Sequence, residues 1–143
     1  MIETFSLFNV EFQDVTSDFK RILEGLQCSS KIRKVTFGGM VFEHDSHGKG
    51  LGRMLLDSKT IREIEFINCE FLHPKSFFDM AHALINEKCR LNVLKMQGIY
   101  LTNLESKILQ LVLMKNRQIH TLDLSFCKIE EPQNLIYFIC KID

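Results

Sequence analysis

The amino-acid sequence predicts a single α/β domain over residues 1–143, in which about five strand-turn-helix repeats stack side by side. Three observations predict it. Short apolar strand patterns recur at a nearly constant interval, and helical apolar spacing follows most of them. The composition is that of an ordinary globular chain, with 45% apolar and 25% charged residues. One such repeat cannot bury its apolar face alone, so stacking would create a continuous core.

The strand half of the repeat starts near residues 2, 32, 61, 91 and 119, at steps of 30, 29, 30 and 28 residues. In every repeat the starting residue and the residues 3, 5, 8 and 10 positions after it are apolar. In the third repeat these are Ile61, Ile64, Phe66, Cys69 and Phe71. Offsets 3 and 5 place apolar side chains on one face of a strand, and offsets 8 and 10 continue the inward anchoring as the chain turns away. Parallel pairing of successive strands is therefore expected.

The second half of each repeat predicts a helix on the opposite side of the sheet. The second repeat is the weakest, because Leu51, Leu55 and Leu56 follow a segment that we interpret as a glycine-rich loop. The apolar residues at helical spacing are Phe19, Ile22, Leu23 and Leu26 in the first repeat, Phe77, Met80, Ala81 and Leu84 in the third, Leu104, Ile108, Leu111 and Val112 in the fourth, and Leu135, Phe138, Ile139 and Ile142 in the fifth.

Helix-start signals agree with this division. Short polar side chains that can accept hydrogen bonds from free N–H groups precede two of the helices, and a proline stands in the first turn of two others. The candidates are Asp14 or Thr16 for the first helix, Thr102 or Asn103 for the fourth, Pro74 for the third and Pro132 for the fifth.

The most regular repeats cover residues 61–71, IREIEFINCEF, and residues 119–129, IHTLDLSFCKI. They resemble the leucine-rich repeat consensus L-x-x-L-x-L-x-x-N/C-x-L, and the long period with full helices resembles the ribonuclease-inhibitor-like subtype. Cys69 and Cys127 stand where that family's side chain satisfies backbone groups of the loop. Val10, Met40 and Ile99 replace the polar residue there in the other three repeats.

This resemblance implies a solenoid with a concave parallel sheet and helices on its convex face. It implies no chemistry, since such folds usually bind proteins, and the site must be argued separately from the fold. We therefore expect a non-catalytic interaction module, an adaptor or recognition protein for another protein, with no cofactor and no metal. An alternative is a structural subunit docked in a larger assembly.

Strand alternation predicts which side chains face the concave side. Glu65, Lys95 and Asp123 fall beside one another on neighbouring strands, and Lys34 falls beside Glu63. These charges either pair with one another or form a polar recognition strip flanked by exposed apolar groups. The candidate partner-binding residues are Phe8, Lys34, Glu63, Glu65, Ile67, Lys95, Asp123 and Phe126.

One segment suggests an enzyme instead. Residues 47–56, HGKGLGRMLL, are similar to the pyrophosphate loop of the GNAT acetyltransferases, Gln/Arg-x-x-Gly-x-Gly/Ala, which implies coenzyme A binding through His47–Gly52. Two observations argue against this similarity. His47 stands where Gln or Arg is expected, and only about 30 residues lie before the strand that leads into the segment. The segment also lies inside the second repeat, so a flexible strand-to-helix loop with glycines at tight turns is the preferred interpretation. His44 and His47, three residues apart, are interpreted as solvated loop histidines rather than metal ligands.

Composition excludes other classes of partner. Eighteen basic residues balance 18 acidic ones, which argues against nucleic acid or an anionic membrane surface. No apolar run approaches the roughly 18 residues of a membrane span, and the N-terminus lacks the pattern of a secretory signal. Five cysteines without a Cys-x-x-Cys pattern favour a reducing compartment, the cytoplasm, or a host cytoplasm for a bacterial effector.

The first predicted strand has no polar capping segment before it, since Ile2 directly follows Met1. Solenoids need capped ends for solubility, and an open strand edge pairs readily with another strand. We therefore expect either a homodimer through this open edge or a neighbour that covers it.

Overall fold

The computed structural model describes residues 2–12, 14–133 and 135–136, and within them the chain is an α/β fold of parallel strands and four helices. Its elements are β1 (Thr4–Phe8), α1 (Val15–Cys28), β2 (Lys34–Gly38), β3 (Val41–Phe42), α2 (Asp45–Asp57), β4 (Glu63–Ile67), β5 (Glu70–Phe71), α3 (Pro74–Ile85), β6 (Val93–Gln97), β7 (Tyr100–Leu101), α4 (Asn103–Lys115), β8 (Thr121–Asp123) and β9 (Lys128–Ile129).

The main sheet has the strand order β1-β2-β4-β6-β8, and every neighbouring pair is parallel. Residues at equal offsets in the sequence alignment pair with one another: Phe5 with Val35, Val35 with Ile64, Ile64 with Leu94, and Leu94 with Leu122. The predicted parallel pairing and its register are therefore confirmed.

The connections between the main strands and the helices are less regular than the expected turns. Residues at offsets 9 and 10 of four repeats form the two-residue strands β3, β5, β7 and β9. β3 pairs with β5 and β7 pairs with β9, so these short strands form two separate two-stranded sheets. Backbone polar groups of the turn thus find partners in the neighbouring turn, as in the hydrogen bond from the Glu70 N–H to the Met40 carbonyl oxygen (2.9 Å).

The core lies between the main sheet and the helices. The residues at offsets 3 and 5 of the three central strands are fully buried. The expectation that every apolar repeat position points inward is wrong at the β1 end, where Ile2 is 73% exposed and Val10 is also exposed. Each lies beside the edge strand, which has a neighbouring strand on one side only. The six fully buried residues are Val35, Phe37, Ile64, Phe66, Leu94 and Met96.

The helix starts follow the predicted signals. The Asp14 carboxylate accepts a hydrogen bond from the Ser17 N–H (3.3 Å) and caps α1. Thr102 caps α4, where its hydroxyl and the Glu105 carboxylate satisfy each other's backbone N–H groups. Pro74 occupies the first turn of α3.

The described residues include only the start of the predicted fifth helix. The Pro132 carbonyl accepts hydrogen bonds from the N–H groups of Leu135 (3.1 Å) and Ile136 (3.0 Å), as a helix start requires. Phe138, Ile139 and Ile142 lie outside the described residues.

The glycine-rich segment is helical, so its interpretation as a loop is wrong. Gly48, Gly50 and Gly52 all lie within α2. A Cβ atom at Gly48 would stand 2.1 Å from the Ser76 carbonyl oxygen of α3, and one at Gly52 would stand 3.0 Å from the Asp79 carbonyl oxygen. Glycine is a poor helix former by about 1 kcal/mol, but here it lets two helix backbones touch, and the tertiary packing outweighs the propensity. No phosphate-cradling loop exists at this position.

Substituting Gly48 tests this close approach. In Gly48→Ala the added methyl group collides with the Ser76 backbone, which cannot move as a flexible side chain would. We therefore expect α2 and α3 to separate and the free energy of unfolding to fall by about 2 kcal/mol or more. Gly25→Ala in α1 is the matched control, because no atom lies within 4 Å of its added Cβ. It should gain about 0.5–1 kcal/mol. Urea unfolding measures both, and equal effects of the two substitutions would contradict the packing.

Candidate interaction surface

The candidate site is the strand face, the side of the main sheet that points away from the helices. Its side chains form rows across the strands because residues at equal offsets pair. The rows are Thr4, Lys34, Glu63, Val93 and Thr121; Ser6, Thr36, Glu65, Lys95 and Asp123; and Phe8, Gly38, Ile67, Gln97 and Ser125. The rows proposed from the sequence alignment are therefore the ones that the strand pairing produces, as far as that pairing extends.

Four of the predicted site residues form one charge cluster, Lys34, Glu63, Glu65 and Lys95. The Lys34 ammonium contacts both Glu63 (3.1 Å) and Glu65 (3.2 Å), and the Lys95 ammonium contacts Glu63 (2.8 Å). Lys95 thus turns to Glu63 on the neighbouring strand and not to Glu65, which stands directly opposite it. The Thr36 hydroxyl donates a further hydrogen bond to Glu65 (3.1 Å). The cluster has no net charge, so its members are largely satisfied by one another.

Burial and ion pairing act in opposite directions on this cluster. Burial alone would raise the pKa of Glu63, but hydrogen bonds from Lys95 and Lys34 outweigh it and lower that pKa below its ordinary value. Burial alone would lower the pKa of Lys34, but Glu63 and Glu65 outweigh it and raise that pKa. The net shifts show that the folded protein favours the charged form of both groups.

Asp123 stands apart from the charge cluster and organises the turn after β8. Its carboxylate accepts hydrogen bonds from the Ser125 N–H (2.8 Å) and hydroxyl and from the Gln97 amide (2.6 Å). The Ser125 hydrogen bonds, then that of Gln97 and the nearby Lys95 charge, lower the pKa of Asp123. The carboxylate therefore holds the chain that leads into Phe126.

A row of left-handed residues ends the main strands, and the sequence analysis missed it. One residue in each repeat, at offset 7, has a positive φ between 49° and 65°. Where a repeat has asparagine at this position, the asparagine side chain covers the glycine at the same position of the following repeat. A Cβ at Gly39 would lie 1.8 Å from the Asn9 amide oxygen, and one at Gly98 would lie 2.0 Å from the Asn68 amide oxygen. The recurrence of Asn or Gly at offset 7 was the available signal. The left-handed row is Asn9, Gly39, Asn68, Gly98 and Phe126.

Phe126 is the exception in this row. Its φ is 60°, a conformation that glycine and asparagine tolerate but a bulky side chain adopts only at a cost of about 1–3 kcal/mol. The side chain is 93% exposed, so no burial in the described structure offsets that cost. Strain combined with a fully exposed aromatic ring marks Phe126 as a functional candidate.

The other apolar candidates are partly committed to the fold. The Phe8 ring covers Gly38, where a Cβ would stand 2.1 Å from the Phe8 Cδ1 atom, although half of Phe8 remains exposed. Ile67 is half-buried. Phe8 lies on the edge strand β1, whereas Phe126 follows β8, about 19 Å away across four strand spacings of about 4.8 Å. The structure therefore does not bring the two aromatic side chains together.

Two cysteines make the backbone contacts that their position in the repeat suggests. The Cys69 thiol donates to the Phe37 carbonyl oxygen (3.2 Å), and the Cys127 thiol donates to the Met96 carbonyl oxygen (2.7 Å). Burial raises the pKa of both thiols and so favours the protonated, unreactive form. Both cysteines connect a turn to the neighbouring strand and have a structural role.

The two histidines near the start of α2 differ from the expected solvated pair. His44 is exposed and caps the helix, but His47 is only 3% exposed and packs between the rings of Phe19 (5.3 Å between centroids) and Phe42 (6.3 Å). Burial, then the nearby His44 charge, lowers the pKa of His47, so its imidazole is neutral. The described residues provide no hydrogen-bond partner for Nε2, a deficit that costs about 1–3 kcal/mol.

Comparisons with known proteins identify no family. No protein-family model and no curated protein matches the chain. Among the described residues, no group of three or more histidine, cysteine, aspartate or glutamate side chains could hold a metal ion. The helices of the same residues are all too short or too polar to cross a membrane.

Replacing Glu63 tests the charge cluster. Glu63→Gln leaves Lys95 without its carboxylate partner, and we expect the free energy of unfolding at pH 7 to fall by about 1 kcal/mol. Because the folded pKa of Glu63 lies below 4.5, its stabilisation is present above pH 4.5 and disappears as the pH falls through that folded value. The difference between wild type and variant should therefore vanish in strong acid.

Urea unfolding at neutral and acid pH measures this difference. Glu87→Gln is the control, since Glu87 is an exposed residue after α3 and should change stability by less than about 0.5 kcal/mol. A variant that is as stable as wild type at pH 7 would show that the cluster is energetically neutral.

Proposed function

We propose that this chain is a leucine-rich-repeat solenoid of five repeats that binds another protein through its concave strand face and performs no catalysis. Four features support the proposal: the 28–30-residue period, the parallel register, the left-handed row at a constant repeat position, and the thiol hydrogen bonds of Cys69 and Cys127. The strand face is a rigid platform, because each of its rows is fixed by hydrogen-bonded neighbours.

The observation that carries the binding function is Phe126. Binding energy in protein interfaces concentrates in a few aromatic or arginine anchors that a partner pocket buries. Phe126 combines an exposed ring with a backbone conformation that Asn or Gly adopts in the other four repeats. A partner that buries this ring would offset the strain, and the described residues give no other reason for phenylalanine at this position.

The surroundings of Phe126 define the chemistry of the partner surface. Asp123 keeps its negative charge beside the turn, and its hydrogen bonds hold the backbone of Ser125, the residue before Phe126. The partner therefore presents an apolar pocket for the ring with a basic group at its rim. The charge cluster contributes shape and specificity more than affinity, because its charges already satisfy one another.

Phe126→Asn separates the role of the ring from the stability of the fold. Asparagine tolerates the positive φ, so we expect the free energy of unfolding of the variant to exceed that of wild type by about 1 kcal/mol. The variant should therefore unfold at a higher temperature. Loss of the anchor should lower partner affinity about ten-fold or more. Calorimetric unfolding tests the first part, and quantitative affinity capture from a lysate followed by titration of the purified partner tests the second.

Phe78→Ala is the control for this experiment, because Phe78 is a half-exposed phenylalanine on α3, away from the strand face. A partner retained by this control and lost by Phe126→Asn supports the assignment. Equal binding by both variants would place the interaction outside the Phe126 end of the strand face.

A further inference from the structure

The first repeat leaves one end of the apolar core uncovered. The third repeat buries all five of its apolar repeat positions, whereas none of the five is buried in the first. The difference follows from the sheet, because β4 lies between two strands and β1 has only β2 beside it among the described residues. A surface that completes this core must therefore lie beside β1. The incompletely covered side chains are those of Ile2, Phe5, Leu7, Val10 and Phe12.

The free edge of β1 carries backbone hydrogen-bonding groups that the main sheet does not use. In β2 the residues at even offsets bond to β1: the Lys34 N–H donates to the Glu3 carbonyl oxygen (3.1 Å). The Gly38 carbonyl oxygen likewise accepts from the Asn9 N–H (2.8 Å). The same offsets in β1 point to a side where the described residues place no strand, and such a row is a template for another strand. The residues of this row are Thr4, Ser6 and Phe8.

β1 lacks two of the features that commonly protect an edge strand from pairing. Its five residues, TFSLF, include no charged residue and no proline. The edge strand at the other side of the described sheet, β8, is only three residues long and contains the charged Asp123. Short length and charge both oppose pairing with a further strand. Of these two edges, β1 is therefore the one that is suited to pairing.

The sequence of β1 is complementary to itself, which favours a second copy of this chain as the occupant. Antiparallel pairing about a twofold axis uses the outward groups of both strands, and only one register pairs all five residues. In that register Phe5 of one copy stands opposite Leu7 of the other on the core face. On the strand face Thr4 stands opposite Phe8, and Ser6 stands opposite Ser6. Such aromatic–aliphatic and aromatic–β-branched pairs stabilise neighbouring strands.

The charges at the ends of β1 are compatible with this register. Glu3, which precedes the strand, stands opposite the uncharged Asn9, which follows it. The two copies of Glu3 lie at opposite ends of the paired strands, about 20 Å apart at 3.4 Å per residue. Within residues 3–9, no like charges therefore stand directly opposite each other.

We propose that two copies of this chain form a dimer by antiparallel pairing of their β1 strands about a twofold axis at Ser6. The pairing joins the two main sheets into one, gives the outward backbone groups of β1 their partners, and covers the open end of both cores. Phe126 follows the strand at the other side of each sheet, so the dimer presents the proposed protein-binding end twice. The dimer itself does not depend on the proposed function.

Sedimentation equilibrium of the intact chain tests the dimer. We expect a reversible monomer–dimer equilibrium between micromolar and millimolar concentration, with an unfolding temperature that rises with concentration. A chain that remains monomeric at millimolar concentration would overturn the proposal. Growth to species larger than a dimer would also overturn it, because a twofold interface closes on itself.

Ser6→Lys tests whether β1 forms the interface. The substitution places two ammonium groups opposite each other on the axis, so the dissociation constant of the dimer should rise about ten-fold or more. Ser6 is exposed, so the far-ultraviolet circular dichroism of the variant should match that of wild type. Thr121→Lys, at an exposed position of β8, is the matched control and should dimerise as wild type does. Dimerisation that persists in Ser6→Lys, or is lost in Thr121→Lys, would place the interface elsewhere.

Cysteine cross-linking tests the register and does not depend on the lysine variants. Ser6→Cys places two thiols on directly opposed residues, whose Cα atoms lie about 5.5 Å apart, as a disulfide requires. In Thr4→Cys the two substituted positions lie about 14 Å apart along the strands, so this variant is the control. Mild oxidation should give more disulfide-linked dimer with Ser6→Cys than with wild type, whose exposed Cys28 sets the background, and no excess with Thr4→Cys. Equal yields from the two variants, or no excess with Ser6→Cys, would contradict the register.

Discussion

Each repeat depends on one backbone constraint, the left-handed turn with which its main strand ends. The N–H groups of these residues still bond to the neighbouring strand, as from Asn9 to the Gly38 carbonyl oxygen (2.8 Å) and from Asn68 to that of Gln97 (2.8 Å). Sheet pairing therefore continues while the chain changes direction toward the helices. An asparagine side chain needs a neighbour without a Cβ, which explains the alternation of Asn and Gly. Phe126 ends the row, beyond which the described residues add no further strand to the main sheet.

The apolar repeat predicted the main sheet well because burial acts through periodicity. Residues such as Ile64 and Leu94 are buried whichever helix covers them, so their spacing alone identified strand, register and face. The glycine-rich first half of α2 was interpreted as a loop because glycine has a low intrinsic preference for helices, whereas the contact of Gly48 with Ser76 is a tertiary effect that no local pattern contains. The left-handed row was present in the sequence, but a search for apolar periodicity does not detect Asn and Gly.

For the candidate site, the sequence predicted the rows but not the pairing within them. Alternation along a strand determines which side chains share a face, so Lys95 was correctly placed between Glu65 and Asp123. Long side chains then choose partners by reach and burial, and Lys95 extends to Glu63 instead. The distinction matters for function because a satisfied cluster offers little net attraction to a partner. Phe126, which follows β8, differs from this cluster because its backbone is strained and its ring is exposed.

The glycines of α2 determine how closely it packs against the helices on both of its sides. Gly48 and Gly52 place α2 in backbone contact with α3, which prevents α2 from moving further in that direction. On its other side, the Leu23 side chain of α1 packs directly on Gly50, since a Cβ added there would stand 2.8 Å from the Leu23 Cδ1 atom. Alanine at position 50 would gain helix propensity but would displace the Leu23 side chain. The three glycines therefore exchange helix propensity for a close approach of α2 to both neighbouring helices, a tertiary effect that no local propensity contains.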